Sequence, residues 1–273
     1  MMLAAALLLI VQPASSVPSP PESPACPAGT ISFAPPLDTP LTLIRRIERP
    51  LANGIFTQTV TYAVTFTRSG RGYRMRWQQT GHQVDAPPEL LRLLSLEGES
   101  AADEVLDFTL DEAGALLGVT ESADAPERLM LAIDRLRSDA ALAARSERDR
   151  VTITAVLDRL AALPPSERAG VHMIKASRLL MLAGRTCRSG QLESSDGGSF
   201  RLGSVTADTL GFTSIRAETL PDGPQFSTST TGTLSLRTGL VESQDRRMTS
   251  TVKGTSRLFR ESVTLKPLTT RPD

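Results

Sequence analysis

Few residues in this chain are of the types that most often carry catalysis. Among its 273 residues there are two histidines, His82 and His172, and two cysteines, Cys26 and Cys187. His82 is followed three residues later by Asp85, and an aspartate can orient a histidine as a general base. His172 falls in a predicted helix, where a lone histidine is typically a surface or hydrogen-bonded residue. One hypothesis is therefore a hydrolase that uses His82, although no motif identifies its nucleophile.

Acidic residues offer a second candidate site. Asp107, Asp111 and Glu112 could form a carboxylate pair of the kind that hydrolyses glycosides. Acids at strand ends and in turns are more commonly solvated, and no aromatic platform for a sugar accompanies these three. The chain also lacks the motifs G-x-S-x-G, H-E-x-x-H and G-x-x-x-x-G-K-[ST]. We therefore expect a non-enzymatic protein.

Composition excludes several further classes of protein. Two histidines and two cysteines are too few for a zinc ribbon, an iron–sulfur cluster or a multi-histidine metal cage. The 30 basic and 30 acidic side chains give a formal net charge of zero, which argues against the broad basic surface that binds nucleic acid. A hydrophobic content of 40% is ordinary for a globular chain. We expect a folded protein without metal, cofactor or nucleic-acid partner.

The N-terminal segment is typical of a secretory signal. Leu3 to Val11 form an apolar run of nine residues, whereas a membrane-spanning helix needs about 20. Ala14 and Ser16 fit the small-residue positions of a cleavage site before Val17. We predict that residues 1–16 are a signal peptide and that the mature protein is periplasmic or secreted, without a transmembrane span. The alternative is a buried N-terminal strand or helix.

A proline-rich segment follows the predicted signal. Nine of the 19 prolines lie between residues 13 and 40, and proline favours extended conformations over packed elements. We read residues 17–40 as a tether between the signal and the folded body. Cys26 in this tether and Cys187 in the body can pair in an oxidising compartment. Such a disulfide would close a loop of about 160 residues and contribute about 4–5 kcal/mol; the alternative is two free or buried thiols.

A long hairpin has one apolar face. Between residues 59 and 78, apolar residues alternate with Thr, Arg and Gln around a turn at residues 68–72, which is the period of a half-buried strand. The residues of the apolar face are Val60, Tyr62, Val64, Phe66, Tyr73, Met75 and Trp77. If helices cover this face fully, it is the core of the domain. If the cover is incomplete, the same seven residues line a groove for an apolar ligand.

The order of predicted elements indicates the fold class. Strand patterns occupy the region before residue 120 and the region after residue 187, and helical patterns occupy residues 125–183. This order lacks the strand–helix–strand alternation of a parallel sheet. We predict one α+β domain over residues 41–267 and a short tail at 268–273. Its core is a large antiparallel sheet of about eight to ten strands, with two to three helices inserted mid-chain and packed on one face.

The predicted fold is a Thr-rich antiparallel sheet around helices, and the run Gly-Thr-Leu-Ser-Leu-Arg-Thr-Gly-Leu-Val at residues 232–241 precedes its last strands. This combination resembles uncharacterised secreted bacterial proteins. Their architecture is similar to that of the lipoprotein carriers of the LolA/LppX kind, in which a curved half-barrel sheet closed by helices holds acyl chains. The resemblance implies a curved, half-barrel-like sheet over about residues 41–267. It also implies a lipid or a lipidated protein as partner. It does not imply which residues of this chain would contact that partner.

Three functional hypotheses follow from these observations. The first is an exported, non-enzymatic protein that binds an apolar or amphipathic ligand, such as a lipid or lipidated partner, on the hairpin face. The second is a closed-core protein of the cell envelope that interacts with another envelope protein and holds no small ligand. The third is a hydrolase that uses His82 or a carboxylate.

Overall fold

The computed structural model describes residues 29–51, 54–87, 91, 104–188, 191–193, 199–219, 225–252 and 255–268. The strands are β1 (Gly29–Thr30), β2 (Leu41–Leu51), β3 (Gly54–Ser69), β4 (Gly72–Asp85), β5 (Val105–Leu110), β6 (Leu116–Glu121), β7 (Thr186–Arg188), β8 (Gln191–Glu193), β9 (Ser199–Val205), β10 (Thr209–Thr219), β11 (Gln225–Ser235), β12 (Val241–Val252) and β13 (Thr255–Pro267). The helices are α1 (Ala125–Arg137), α2 (Ala140–Ala143), α3 (Glu147–Ala161) and α4 (Pro165–Leu180). The predicted signal peptide, Cys26 and residues 269–273 lie outside the described residues.

All the described strands belong to one antiparallel sheet. Their order is β1-β7-β8-β9-β10-β11-β12-β13-β2-β3-β4-β5-β6. Ten strands have six or more residues, and β1, β7 and β8 have two or three. Within the described ranges the edge strands β1 and β6 do not pair with each other, so the sheet is open. The predicted α+β class, with a large antiparallel sheet and mid-chain helices, is confirmed.

The hairpin of β3 and β4 shows why the sequence forms this sheet. Its register places Val64 opposite Trp77 and Phe66 opposite Met75, so the apolar residues of both strands share one face. The other face carries Thr and Arg side chains, which remain partly or fully exposed. Side chains alternate across a strand, so one residue of slippage would expose the whole apolar set. The two-residue period therefore determines both the strands and their register.

The sheet curves around helix α4. This helix contacts β6 and also β12, and five strands separate β6 from β12 in the sheet order. In a flat sheet these two strands would be about 29 Å apart, at about 4.8 Å per strand. A helix is only about 10–12 Å wide, so the sheet must bend towards α4 on both sides. The concave face of the sheet is the face that contacts this helix.

The helices begin and end at recognisable residues. Ser146 caps α3, because its Oγ accepts a hydrogen bond from the backbone N–H of Asp149 at 3.2 Å. Pro165 begins α4 as a residue of its first turn. The sequence pattern predicts that this helix extends to residue 183, but the helix ends at Leu180 and a turn follows. Gly184 in that turn has a φ of +67°, which favours glycine. No described helix is long and apolar enough to cross a membrane.

The described part of the predicted tether, residues 29–40, packs against the folded body. Ile31 and Phe33 are buried, and residues 31–38 form a strap across one end of the curved sheet. The backbone N–H of Ala34 donates to the carbonyl of Thr238 at 3.0 Å, and that of Asp38 donates to Phe66 at 2.8 Å. The prolines keep the segment extended, while its apolar side chains provide the free energy of burial that holds it in place.

Candidate functional site

The seven predicted ligand-binding residues form part of the core. Each of Val60, Tyr62, Val64, Phe66, Tyr73, Met75 and Trp77 is at most 8% exposed. They pack with Ala176, Leu179 and Leu180 of α4 in one buried cluster. Aromatic rings meet at its centre, where the ring of Trp77 lies 5.3 Å from that of Tyr62. In this structure α4 and Phe33 cover the face that the sequence left open as either core or groove.

Little space remains between α4 and this face. A gap of about 10 Å³ is lined by side chains of the sheet and the helix, which is at the lower limit for one water molecule. Trp77 Nε1 is buried and has no hydrogen-bond partner in the described part of the chain. An acyl chain therefore does not fit between α4 and the hairpin face.

A charged cluster lies beside this gap, on the concave face. Glu261 of β13 is only 2% exposed, and its carboxylate accepts a hydrogen bond from Arg45 Nε at 2.5 Å. Arg178 of α4 contacts the same carboxylate oxygen, and Arg246 Nη1 lies 4.0 Å from the other. We call these four residues the Glu261 cluster. It joins α4 to three adjacent strands and contains three cations for one anion.

The electrostatics of the Glu261 cluster follow from its burial. Burial alone would raise the pKa of Glu261, but Arg45 and Arg178 outweigh this effect and hold that pKa below its ordinary value. Burial lowers the pKa of Arg178, while Glu261 opposes that shift. Buried charges are stable only when they are paired. The carboxylate thus neutralises arginines whose positive charge would otherwise be unfavourable to bury beneath α4.

A second charged group surrounds His172 on the same helix. His172 Nε2 lies 3.4 Å from Glu121 and 3.8 Å from Glu104, and Arg168 also contacts Glu121 at 3.4 Å. Burial lowers the pKa of His172, although both glutamates act against this shift. Arg168, His172, Lys175 and Arg178 are spaced by four, three and three residues. Their spacing places these residues towards one side of α4, where Glu104, Glu121 and Glu261 lie.

An open cleft lies at the C-terminal end of α4. We call it the α4-end cleft, and it has a volume of about 550 Å³. Its walls are the turn between β5 and β6, the last turn of α4 with the residues after it, and Phe200 of β9. The lining residues are Ala113, Gly114, Ala115, Leu116, Ser177, Arg178, Leu180, Met181, Ala183, Gly184, Arg185 and Phe200. Most of these described residues are apolar or small, and the charged ones among them are Arg178 and Arg185.

The structure separates the residues of the predicted His82 site. His82 and Asp85 lie in the same strand at register positions three apart, opposite Val60 and Thr57. Because side chains alternate along a strand, the two residues face opposite sides of the sheet. The imidazole Nε2 of His82 lies instead within hydrogen-bonding distance, 3.0 Å, of Gln58 Nε2. The predicted histidine–aspartate pair is therefore not formed.

Each predicted carboxylate has a structural partner. Asp107 forms a two-bond ion pair with Arg74, at 2.6 and 3.1 Å. Asp111 accepts hydrogen bonds from backbone N–H groups in the turn after β5, and Glu112 lies 3.3 Å from Arg71. These contacts pair the acids with neighbouring strands and with their own turn. They do not bring two carboxylates together around a shared space.

The Glu261 cluster was absent from the sequence-based prediction. A signal for it exists, because Glu261 alternates with Val263 and Leu265, and Arg45 alternates with Leu43 and Ile47. The two-residue period therefore places a glutamate and an arginine on the buried face of their strands. That these two strands are neighbours becomes visible only in the sheet.

Comparisons with known proteins give no family. No family model and no curated protein matches this sequence. Three chains of solved structures match, and one belongs to a structure described as lipid–protein interactions in lipovitellin. It shares 8% sequence identity at a TM-score of 0.42, over 89% of this chain and 26% of that chain. This chain thus spans about a quarter of that chain's length.

Proposed function

We propose that this protein is exported and that it binds an amphipathic ligand, a lipid or a lipidated partner, in the α4-end cleft. The observation that carries the proposal is the composition of this cleft, whose described lining residues are mostly apolar and include arginines as their only charged members. Its volume of about 550 Å³ lies within the usual range of ligand sites, about 300–1,000 Å³. The site therefore differs from the hairpin face that the sequence suggested.

The position of the cleft favours an apolar chain as part of the ligand. Leu180 belongs to the core cluster that contains the hairpin face, and Phe200 belongs to a second buried cluster formed by β8–β12 and neighbouring residues. Both residues also line the cleft. A chain bound between them would extend the packing of the two clusters, and each methylene it buries contributes about 0.8 kcal/mol.

Binding, rather than catalysis, is the activity we propose. His82 and Asp85 face opposite sides of β4, and the three predicted carboxylates are each engaged by an arginine or a turn. Among the residues that the structure describes, the cleft lining includes no histidine, cysteine or carboxylate. The hydroxyl among these described residues is that of Ser177, which donates to the backbone carbonyl of Ile174 in its own helix. The described lining residues offer shape and charge for binding, and none of them is arranged for acid–base chemistry.

Uptake of a fluorescent fatty acid by the delipidated full chain tests this proposal. We expect saturable binding at micromolar concentration, and we expect Ala115→Trp to weaken it at least tenfold, since Ala115 is exposed in the cleft and an indole there would occupy it. Ala217→Trp is the matched control, because Ala217 is exposed on the convex face of β10, opposite the concave face that carries Phe212. Equal uptake by both variants would place the ligand elsewhere, and no uptake by the native chain would contradict the proposal.

A second candidate is the closed-core interaction protein. The observation that favours it is the burial of the whole hairpin face beneath α4 and Phe33 of the strap. Large apolar side chains are exposed instead on α1 and α3, namely Met130, Leu131, Val151, Val156 and Leu160. Such residues can form part of a contact with an envelope protein. A chain that takes up no amphipathic probe, and that crosslinks to an envelope protein through these helices, would favour this candidate.

We also propose that Cys26 and Cys187 form a disulfide in the exported protein. Cys187 is paired in register with Gly29, and Cys26 precedes Gly29 by three residues. Three extended residues span at most about 11 Å, so the chain can reach. We expect the non-reduced protein from an oxidising compartment to lack the mass of two hydrogen atoms and to resist alkylation. In Cys26→Ser, Cys187 should become reactive; alkylation of both native thiols without reductant would exclude the bond.

A further inference from the structure

The cations of the Glu261 cluster are not balanced by its one acid. Arg45 donates to the Glu261 carboxylate, and Arg178 contacts the same oxygen, so one carboxylate serves two close guanidinium groups. Arg246 adds a third positive charge at 4.0 Å. Because the side chains of these three arginines are only 18–28% exposed, solvent screens this surplus less than it would at the open surface. Arg178 also lines the α4-end cleft, so the surplus positive charge borders the cleft.

Arg185 adds a second positive charge to the same cleft. It lies in the segment between α4 and β7, and it lines the cleft together with Arg178. In the part of the chain that the structure describes, no carboxylate forms an ion pair with Arg185. The described residues that line the cleft include no acidic residue. A ligand in the cleft therefore contacts two guanidinium groups and, among the described lining residues, no carboxylate.

We propose that the polar end of the bound ligand is an anion held by Arg178 and Arg185. This inference rests on the proposed function and names its ligand class. A guanidinium group presents a planar set of N–H donors that matches the oxygens of a carboxylate or a phosphate. The common chemistry is an anionic head group on an apolar chain, as in a free fatty acid or a lipid phosphate. The head group would neutralise the surplus charge, while the chain lies against Leu180, Met181 and Phe200.

Four probes with the same twelve-carbon chain test the head-group preference. They are dodecanoate, dodecyl phosphate, dodecanol and dodecyltrimethylammonium, each titrated into the delipidated full chain below its critical micelle concentration or, for the alcohol, below its solubility limit. We expect at least one anion to bind tenfold or more tightly than the alcohol, and the cation to bind most weakly. The better of the two anions identifies the source of the head group as a carboxylate or a phosphate.

Substitutions locate the anion. Arg185 lies outside the Glu261 cluster, so we expect the Arg185→Gln variant to fold normally. Its affinity for the preferred anion should fall at least tenfold, while its affinity for dodecanol should stay the same. Arg178→Gln should have the same effect, since Arg45 still pairs with Glu261. Arg201→Gln is the control, because Arg201 follows Phe200 in β9 and faces the opposite side of the sheet.

The outcomes separate this inference from the proposed function. Equal affinity for the anions and the alcohol would overturn the anion site while leaving an apolar ligand in the cleft. Tighter binding of the cation would also overturn it. An anion preference that survives both Arg178→Gln and Arg185→Gln would place the anion elsewhere on the molecule. If none of the four probes binds, the proposed function fails and this inference fails with it.

Discussion

Replacement of Glu261 by alanine is expected to lower the free energy of unfolding by about 3–5 kcal/mol, as is typical when one partner of a buried ion pair is removed. The carboxylate is 2% exposed and contacts Arg45 and Arg178. Without it, these two guanidinium groups would lie under α4 with no anion between them. Chemical denaturation of the native chain and the variant, followed by circular dichroism, measures the difference.

Asp245→Asn is the matched control for Glu261→Ala. Asp245 lies on the neighbouring strand β12 and pairs with Arg260 on the polar face of the sheet. Water solvates both partners of such an exposed pair, so its removal should have a far smaller effect. If Glu261→Ala and Asp245→Asn destabilise the protein equally, the Glu261 cluster does not contribute as a buried ion pair.

The contribution of Glu261 should also depend on pH. Its pKa in the folded protein is held below the ordinary value, so the unfolded chain binds its proton first as the pH falls. The stabilisation is therefore complete above the unfolded pKa of about 4.3 and is lost as the pH falls through the lower, folded pKa. Native protein should lose stability steeply below about pH 4.3, and Glu261→Gln should show a flatter decline. If the stability of the two proteins falls in parallel as the pH is lowered, Glu261 is not the source of this pH dependence.

Phe108→Ala is expected to have an effect of similar size, about 3–5 kcal/mol, through a different mechanism. Phe108 is fully buried in β5, and its ring centroid lies 5.5 Å from that of Trp77 in an edge-to-face arrangement. Truncation would leave a cavity beneath α4 and remove this aromatic contact. The same denaturation experiment measures the loss, and the fluorescence of Trp77, the single tryptophan, should shift as its surroundings change.

Leu117→Ala is the control for Phe108→Ala. Leu117 lies in the adjacent strand β6 and is 64% exposed, so its truncation should change the unfolding free energy by no more than about 0.5 kcal/mol. A small effect at Phe108 would mean that the concave face is not tightly packed around the hairpin. In that case the hairpin face, rather than the α4-end cleft, would again become the candidate ligand site.

The sequence by itself determined the elements and the fold class. Apolar alternation in β3 and β4, and apolar residues three and four apart in the helices, are properties of neighbouring residues. Such local periods identify a buried face without knowledge of what covers it. They correctly predicted the large antiparallel sheet and the mid-chain helices. They also identified one face of seven side chains and left open whether it was a core or a groove.

Only the tertiary structure decided what covers that face and where an open site remains. Helix α4 contacts strands at both ends of the curved half of the sheet, the strap at residues 31–38 crosses one end, and the α4-end cleft lies where the helix stops. The Glu261 cluster joins Arg45 to a residue 216 positions later in the chain. Contacts of this range depend on the order of strands and the bend of the sheet, and no local period encodes either of them.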